Sequence, residues 1–539
     1  MSRLLDLYEK NRTLTLIVAL AAVMFYTFRQ SFPVDDAFIS FRYAHNLVSG
    51  NGLVWNPGER VEGYSNFLWT LLMALGMLLN FPPERFCIIL AIPIQLACSL
   101  LTYRLAVRTL KDTGWGVMVM LLAGLNHSVA GFATSGLETS LQLLGFLAAA
   151  NIFIAAQERG WSLGRTLGLS LILNIAMLTR PDGVVLAGAA IVGWFYTARK
   201  PKFTSLATLI FPFVLILFPY LIWKYSYYGD LLPNSFHAKV RDLMGLFSGA
   251  YYIYLFSVYY MLLPYLALVV WQGRSLWREQ RSVGYLALFT LIWFGYVVSV
   301  GGDFMEFRFL APIVPLLMIA VVAALRRAVA RPFAVAALIV ALLLGTFNNM
   351  FGFGRLFYSY GIERLDGLTD HLYGVDENWI SIGKRLKELF GETGIVMSCG
   401  ASGAIPYYSE LTTVDFMGLT DREIAMNGDS FSNMPGHRVI STLDYLCRRN
   451  VNIIVEPISF MVSESDLPGW IRAAGWSYID RFFLDLDKPA GGRMVDEAEL
   501  IGIPIEKGFT LFVWYLTPDP RVDRIIRERG LLRLRIPRR

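Results

Sequence analysis

The chain has 539 residues, of which 55% are hydrophobic and only 17% charged, with a net charge of +6 and a mean hydropathy of +0.48. A soluble globular chain of this size carries about 25% charged residues. The deficit lies in the first 350 residues, which excludes a soluble protein as a whole and points to a polytopic membrane protein with no nucleic-acid partner.

Residues 1–12 are short and polar, with Arg3, Lys10 and Arg12. The run 14–28 is apolar, lacks a small-residue cleavage pattern after it, and reads as a retained first span. A polar stretch, 30–66, follows directly; it opens with Asp35 and Asp36 and continues through Arg42, Tyr43 and His45. Charges pressed against a membrane face are costly unless they have a task. The next apolar run, 67–80, covers roughly 21 Å as a helix, short of a hydrocarbon core of about 30 Å. Full spans are predicted near 85–107, 114–133, 137–156, 163–180, 183–197, 204–223, 250–271, 283–300, 308–326 and 331–350.

Positive residues orient these spans. Arg108/Lys111, Arg159/Arg165, Arg199/Lys200/Lys202, Arg274/Arg278/Arg281 and Arg326/Arg327/Arg331 fall in alternate loops, which are read as cytoplasmic together with the N-terminus. The pattern closes with about eleven full spans if 67–80 is interfacial. The C-terminal part is then extracytoplasmic. From about 351 the composition becomes that of a soluble domain. Residues 394–400, 451–457 and 509–516 read as buried strands, and 378–389 and 441–449 as helices, giving an α/β layer. GASGA (400–404) follows a strand but lacks the GxGxxG spacing and reads as a structural turn. The architecture expected is a membrane domain, 1–350, followed by an extracytoplasmic α/β domain, 351–539.

Four cysteines are too few for a disulfide framework; Cys87 and Cys98 share one span, which leaves Cys399 and Cys447 as the only pair open to bonding. The C-terminal 521–539 carries eight arginines at amphipathic spacing and reads either as a solvated basic tail or as a surface for anionic headgroups or an anionic acceptor.

Under this topology five motifs share the outer face: Asp35-Asp36; SGLET (135–139); TRPDG (179–183); YYGD with PNSFHAK (227–230 and 233–239); and GGDFMEFR (301–308). Singly, each charge at a span end reads as a helix cap or a snorkelled side chain. Together they supply carboxylates able to deprotonate a hydroxyl or hold a divalent cation, and cations able to grip a phosphate. That equipment suits sugar transfer from a lipid-linked phosphate. Trp55, Tyr64, Trp69, Tyr227 and Tyr228 suit sugar stacking or an interfacial aromatic belt.

DDAFISFRYAHNL, GLVWNPGERVEGYSNFLW, SGLET, TRPDG, YYGDLLPNSFHAK and GGDFMEFRFLAP, with GAIPYYSELTTVDFMGLTDREIA (403–425) in the outer part, resemble the GT-C polyprenyl-phosphate-dependent glycosyltransferases. The likeness is closest to the mycobacterial terminal arabinofuranosyltransferases and their bacterial relatives. It implies an inverting enzyme of the bacterial inner membrane that moves a furanose, D-arabinofuranose, from a polyprenyl phosphate to an extracytoplasmic glycan or surface-protein acceptor. Mannose- or aminoarabinose-type donors are the alternative within the class. A transporter of a lipid-linked substrate is the alternative outside it, but transporters place their charges at the midplane and show related halves, and this sequence does neither. A receptor anchored by its spans would not need five boundary motifs.

The resemblance also implies roles. Asp35 is favoured as general base, with Asp36 as base, metal or sugar ligand, or N-cap. Glu138 matches the second acidic position. Arg42, His45, Tyr64, Arg180, Asp182, Asn234, His237, Lys239, Asp303, Glu306 and Arg308 are the substrate-binding candidates, His237 and Lys239 foremost for the donor phosphate. The resemblance fixes no cofactor; metal dependence is open, with a divalent cation (Mg, Mn or Ca) at Asp35 and Asp36 as the candidate.

Overall fold

The structure is a computed structural model that describes residues 11–198, 201–239, 244–328, 332–346, 362–374, 377–432, 437–456, 460–473, 490–491 and 497–537. Arg199, Lys200 and Arg331 of the orienting set lie outside these residues.

Up to residue 346 the described chain is helical. Six helices are long and apolar enough to cross a membrane: Arg12–Arg29, Pro83–Leu110, Thr139–Arg159, Phe203–Tyr228, Arg281–Val300 and Ala311–Ala328. Two expected straight spans are instead broken. The 114–133 run divides into Thr113–Gly124 and His127–Thr134, bent by 64°. The cause is local: the Asn126 side chain accepts from Val129 N–H and caps a new helix. The 250–271 run divides at Met261, which takes a left-handed φ of 54°, and restarts at Leu263 with Pro264 in the first turn; the two pieces are bent by 108°. Four apolar helices are shorter: Phe67–Leu78, Leu163–Thr179, Gly183–Ala198 and Val335–Thr346. The chain is therefore a multi-pass membrane protein, in which six helices, or eight counting each bent pair as one span, qualify by length and composition.

The region after 390 carries a mixed sheet. Its strands are β1 (Val396–Cys399), β2 (Thr412–Asp415), β5 (Val451–Val455), β6 (Met461–Ser463), β7 (Glu497–Ile505), β8 (Phe509–Tyr515) and β9 (Leu532–Pro537), in the order β2-β1-β5-β8-β7-β9 with β6 also on β8; β3 (Asp429–Ser430) and β4 (Val439–Ile440) form a separate pair. The β2-β1-β5 portion is parallel and the remainder antiparallel. Helices Trp379–Phe390 and Leu443–Arg448 stand where the apolar periodicity places them.

The basic C-terminus is folded: its residues form helix Pro520–Arg529 and β9, and Arg521, Arg533 and Arg535 pair with Asp519, Glu499, Asp523 and Glu497. Backbone pairing of β9 with β7 explains why the described part, up to Pro537, is folded and not a solvated tail, while Arg524, Arg527 and Arg529 stay exposed. Cys399 and Cys447 are both free thiols.

The parallel strands aim their carboxyl ends at the start of helix Asp35–Val48, which is where open α/β sheets present their loops to ligands. The loop after β1 is GASGA, and the loop after β2 runs through Met417, Leu419 and Thr420. Asp415, at the end of β2, accepts from Met417 N–H at 2.9 Å and Thr420 N–H at 3.0 Å and so fixes that loop.

Candidate active site

Helix Asp35–Val48 begins on the other side of this junction. Val34 N–H donates to Ser135 O at 2.9 Å, and Trp69 Nε1–H donates to Gly136 O at 2.7 Å, so the SGLET turn is clamped against the helix start. Gly136 takes φ +78°, and a Cβ there would lie 2.8 Å from Ala37 Cβ; only glycine combines that turn with that approach. The turn delivers Glu138 into a hydrogen-bonded cluster. Asn66 Nδ2–H donates to Glu138 at 2.6 Å, and Asn66 Oδ1 accepts from Ser40 at 2.9 Å. Arg180 pairs with Glu138 and, through Nε at 3.0 Å, with Asp182. Gln142 Nε2–H also donates to Asp182, at 2.6 Å. Opposite, Arg308 donates through Nε to Asp303 at 2.6 Å.

These groups surround a chamber of about 330 Å³ that Asp36, Tyr64, Glu138, Arg180, Asp182, Tyr296, Asp303 and Arg308 all border. An apolar groove of about 620 Å³ begins at Leu186 and Ile292, two residues on from Val184 and one turn from Tyr296 along the same two helices, and continues between Thr139–Arg159, Gly183–Ala198 and Arg281–Val300.

A second, smaller cavity of about 110 Å³ lies on the other side of the Asp35–Asp36 pair, and Asp36, Ile39 and Leu419 belong to both walls. Asp35 borders only the smaller one. Its Oδ1 accepts from Ala404 N–H at 2.7 Å, so the GASGA turn holds a carboxylate rather than a nucleotide. Burial pushes the Asp35 carboxyl up to about 7; the Ala404 N–H opposes the rise, Asp36 adds to it, and His371 counters it. Burial alone would lower the His371 imidazole, but hydrogen bonds to Glu363 and Glu377 outweigh it and raise His371 to about 10, a cation at neutral pH. Its ring is stacked on Trp379 at 4.4 Å.

Five substrate-binding candidates stand elsewhere. Arg42 is buried and gives its donors to Trp55 O, Pro406 O, Leu411 O and Asn56, tying helix Asp35–Val48 to the sheet region. His45 is exposed, with an edge-on ring contact to Tyr407. At about 100° per residue it lies nine positions from Asp36, on the opposite face of the helix. Asn234 donates to Gly418, Leu419 and Asp421 carbonyls. His237 pairs with Asp230 at 3.0 Å, outside the described cavities. Glu306 Oε2 accepts from Leu365 N–H at 3.0 Å and pins that backbone, while its Oε1 is buried with no hydrogen-bond partner among the described residues. The Lys239 side chain lies outside the described residues.

Among the aromatics, Tyr64 reaches the larger chamber, whereas Trp55 and Trp69 are core residues at 1% exposure with their N–H groups on backbone carbonyls. Among the described residues no group of three or more His, Cys, Asp or Glu side chains is set to hold a metal ion. Sequence reasoning did not single out Ser40, Asn66, Tyr296, His371 or Trp379. Ser40 is legible in retrospect, being four residues from Asp36 on one helix face.

A family profile for a domain of unknown function (DUF8728) matches residues 371–499. A terminal β-(1→2)-arabinofuranosyltransferase of Mycobacterium tuberculosis is 29% identical over 296 residues, 51% of this chain and 46% of the relative. Its namesake from Corynebacterium glutamicum is 25% identical over 316 residues, 51% of this chain and 45% of the relative. The match thus spans about half the length of these curated relatives. Among solved structures, ArnT from Cupriavidus metallidurans, bound to undecaprenyl phosphate, aligns with a TM-score of 0.57 at 11% identity over 94% of this chain and 99% of that one. The Archaeoglobus fulgidus oligosaccharyltransferase aligns with a TM-score of 0.50 at 10% identity over 91% and 73%. In sequence the chain is similar to the terminal arabinofuranosyltransferases and in fold to ArnT, which is the likeness to the GT-C glycosyltransferases that its motifs carried.

Proposed function

We propose that the chain is an inverting glycosyltransferase that moves D-arabinofuranose from a polyprenyl phosphate to an extracytoplasmic glycan or surface-protein acceptor. The observation that carries this reading is the pairing of a chamber holding two arginines with an apolar groove that begins within one turn along the same helices. The groove takes the isoprenoid, the Arg308 and Arg180 guanidiniums take the phosphate, and the sugar projects toward Asp36. An acceptor hydroxyl attacks the anomeric carbon, the bond from that carbon to the phosphate oxygen breaks, and polyprenyl phosphate leaves under the arginines. The hydroxyl proton passes to Asp35, whose carboxyl near 7 matches a base working at neutral pH. Asp36, on the common wall and in the field of Arg308, orients the sugar.

Four carboxylates and two guanidiniums border the larger chamber, and an anionic donor adds to the negative side. A divalent cation at Asp36 would offset that excess, so metal dependence is part of the test. Counting the six long helices, the two bent pairs and three of the short ones gives eleven crossings. Phe67–Leu78 is then interfacial, the N-terminus cytoplasmic, and the site and sheet region on the outer face of the inner membrane.

The test is transfer by purified protein from synthetic polyprenyl-phosphoryl D-arabinofuranose to a panel of acceptors, with and without EDTA, beside Asp35→Asn and Asp36→Asn. Donor consumption that Asp35→Asn abolishes supports the assignment. A donor that binds and is never consumed refutes the sugar, and one that does not bind refutes the class.

A further inference from the structure

Helix ends meet at the Glu138 cluster, and their side chains do not serve their own helices. Asn66 is the N-cap of Phe67–Leu78, Glu138 the N-cap of Thr139–Arg159 and Arg180 the C-cap of Leu163–Thr179. Among the described residues neither N-cap side chain makes a capping hydrogen bond. For Asn66 that is a forgone contribution, because asparagine is among the best residues for capping a helix N-terminus. Its amide is turned sideways instead. Oδ1 accepts from Ser40 at 2.9 Å and from Thr70 at 3.1 Å, and Nδ2–H donates to Glu138 Oε2 at 2.6 Å. An ionised carboxylate only accepts, so the amide can face Glu138 in one orientation alone. Ser40, Asn66, Thr70, Glu138 and Arg180 are all buried.

The consequence falls on Arg180. Glu138 meets Arg180 Nη1 through Oε1, while Asn66 occupies Oε2 and Asp182 takes Arg180 Nε. A carboxylate with both oxygens unclaimed closes on a guanidinium through two parallel bonds. Without Asn66, Glu138 Oε2 would be a buried acceptor short of a donor, and that two-bond closure would satisfy it. A phosphate would then compete with a carboxylate for the same fork.

We propose that Asn66 is a positioning residue for the donor phosphate: by holding one oxygen of Glu138 it limits that carboxylate to a single bond with Arg180 and keeps the guanidinium open to the phosphate. The proposal rests on the transfer reading above, in which Arg180 grips the phosphate. Ser40 lies one turn beyond Asp36 on the same helix and donates to the same amide, so the Asp36-bearing helix is joined to the phosphate grip through one side chain.

The experiment is equilibrium binding of polyprenyl phosphate, by calorimetry on full-length protein in detergent, with Tm measured for each variant. Asn66→Ser keeps a capping hydroxyl for Phe67–Leu78 but is one bond shorter and does not reach Glu138; Arg180→Gln is the control for the grip itself. Affinity is expected to fall roughly tenfold or more for Asn66→Ser, the range of one hydrogen bond to a charged group, with Tm held. Ser40→Ala is expected to lower it about two- to tenfold, and this milder variant carries the test if Asn66→Ser does not fold. In a Glu138→Gln background the two-bond ionic closure is no longer available, so Asn66→Ser should cost little more; such non-additivity marks residues that act through one another. A lowered Tm with unchanged affinity makes Asn66 structural and overturns the proposal, as does an affinity loss that adds in full to that of Glu138→Gln. Binding weakened by Arg180→Gln but not by Asn66→Ser or Ser40→Ala overturns the positioning role and leaves the transfer reading standing. Binding that Arg180→Gln does not weaken overturns the grip itself, and the proposal with it.

Discussion

The two chambers flanking Asp35 and Asp36 are made of different material. The larger one is assembled at helix ends, where Arg180 pairs with Glu138 and Asp182, and Arg308 with Asp303, all buried. The smaller one is closed by loops at the carboxyl ends of β1 and β2 and by Glu363, Leu368, His371 and Trp379, with His437 also on its wall. One pair of adjacent carboxylates, Asp35 and Asp36, separates them, so a single residue step along a helix divides the two cavities.

Substitutions sharpen or break this division, and Asp35→Asn is expected to act most strongly. Removing the base should lower kcat/KM by about 10²- to 10⁴-fold, with polyprenyl phosphate binding retained; a loss of that binding instead would merge the two chambers. Arg180→Gln leaves Glu138 and Asp182 as buried unpaired carboxylates and should destabilise the protein by about 3–5 kcal/mol, read as a lowered Tm together with weakened polyprenyl phosphate binding. Gly403→Ala tests the junction: a Cβ there would meet the Asp35 carbonyl oxygen at 2.1 Å, so the turn must move. A shift of about 1 Å costs on the order of 10²-fold in rate, which should appear in kcat while donor affinity holds.

His371→Gln removes a cation that lowers the Asp35 carboxyl. Asp35 must be ionised to act, so activity rises with pH through its value of about 7. Without His371 that acid limb should move to higher pH, by roughly one unit, in a kcat/KM profile. An unmoved limb would detach Asp35 from the smaller cavity. The smallest effect is expected for His45→Ala, an exposed position, where stability should stay within about 0.5 kcal/mol and transfer be unaltered.

The outcome for the motif residues shows what one-dimensional reading reaches. Asp36, Glu138, Arg180, Asp182, Asp303 and Arg308 border one chamber because each sits at a span end, and span ends follow from hydropathy. Arg42 and Asn234 carry the same chemistry in equally motif-rich stretches, yet each is spent on carbonyls of the fold. A guanidinium that clamps backbone and one that grips phosphate are alike in sequence; only the neighbouring surface distinguishes them. Helical phase would have separated His45 from Asp36.

By itself the sequence determined that the chain is membrane-embedded, that strands lie near 394–400, 451–457 and 509–516, and which family its motifs resemble, because hydrophobic period and local motif are properties of short stretches. Tertiary structure alone decided that GASGA holds Asp35, and that Glu363, Leu368, His371 and Trp379 border a second cavity beside it. Those facts arise from contacts across more than 300 residues of chain between Asp35 and the turn that holds it, and no local pattern encodes a pairing between surfaces that meet only once the sheet has docked.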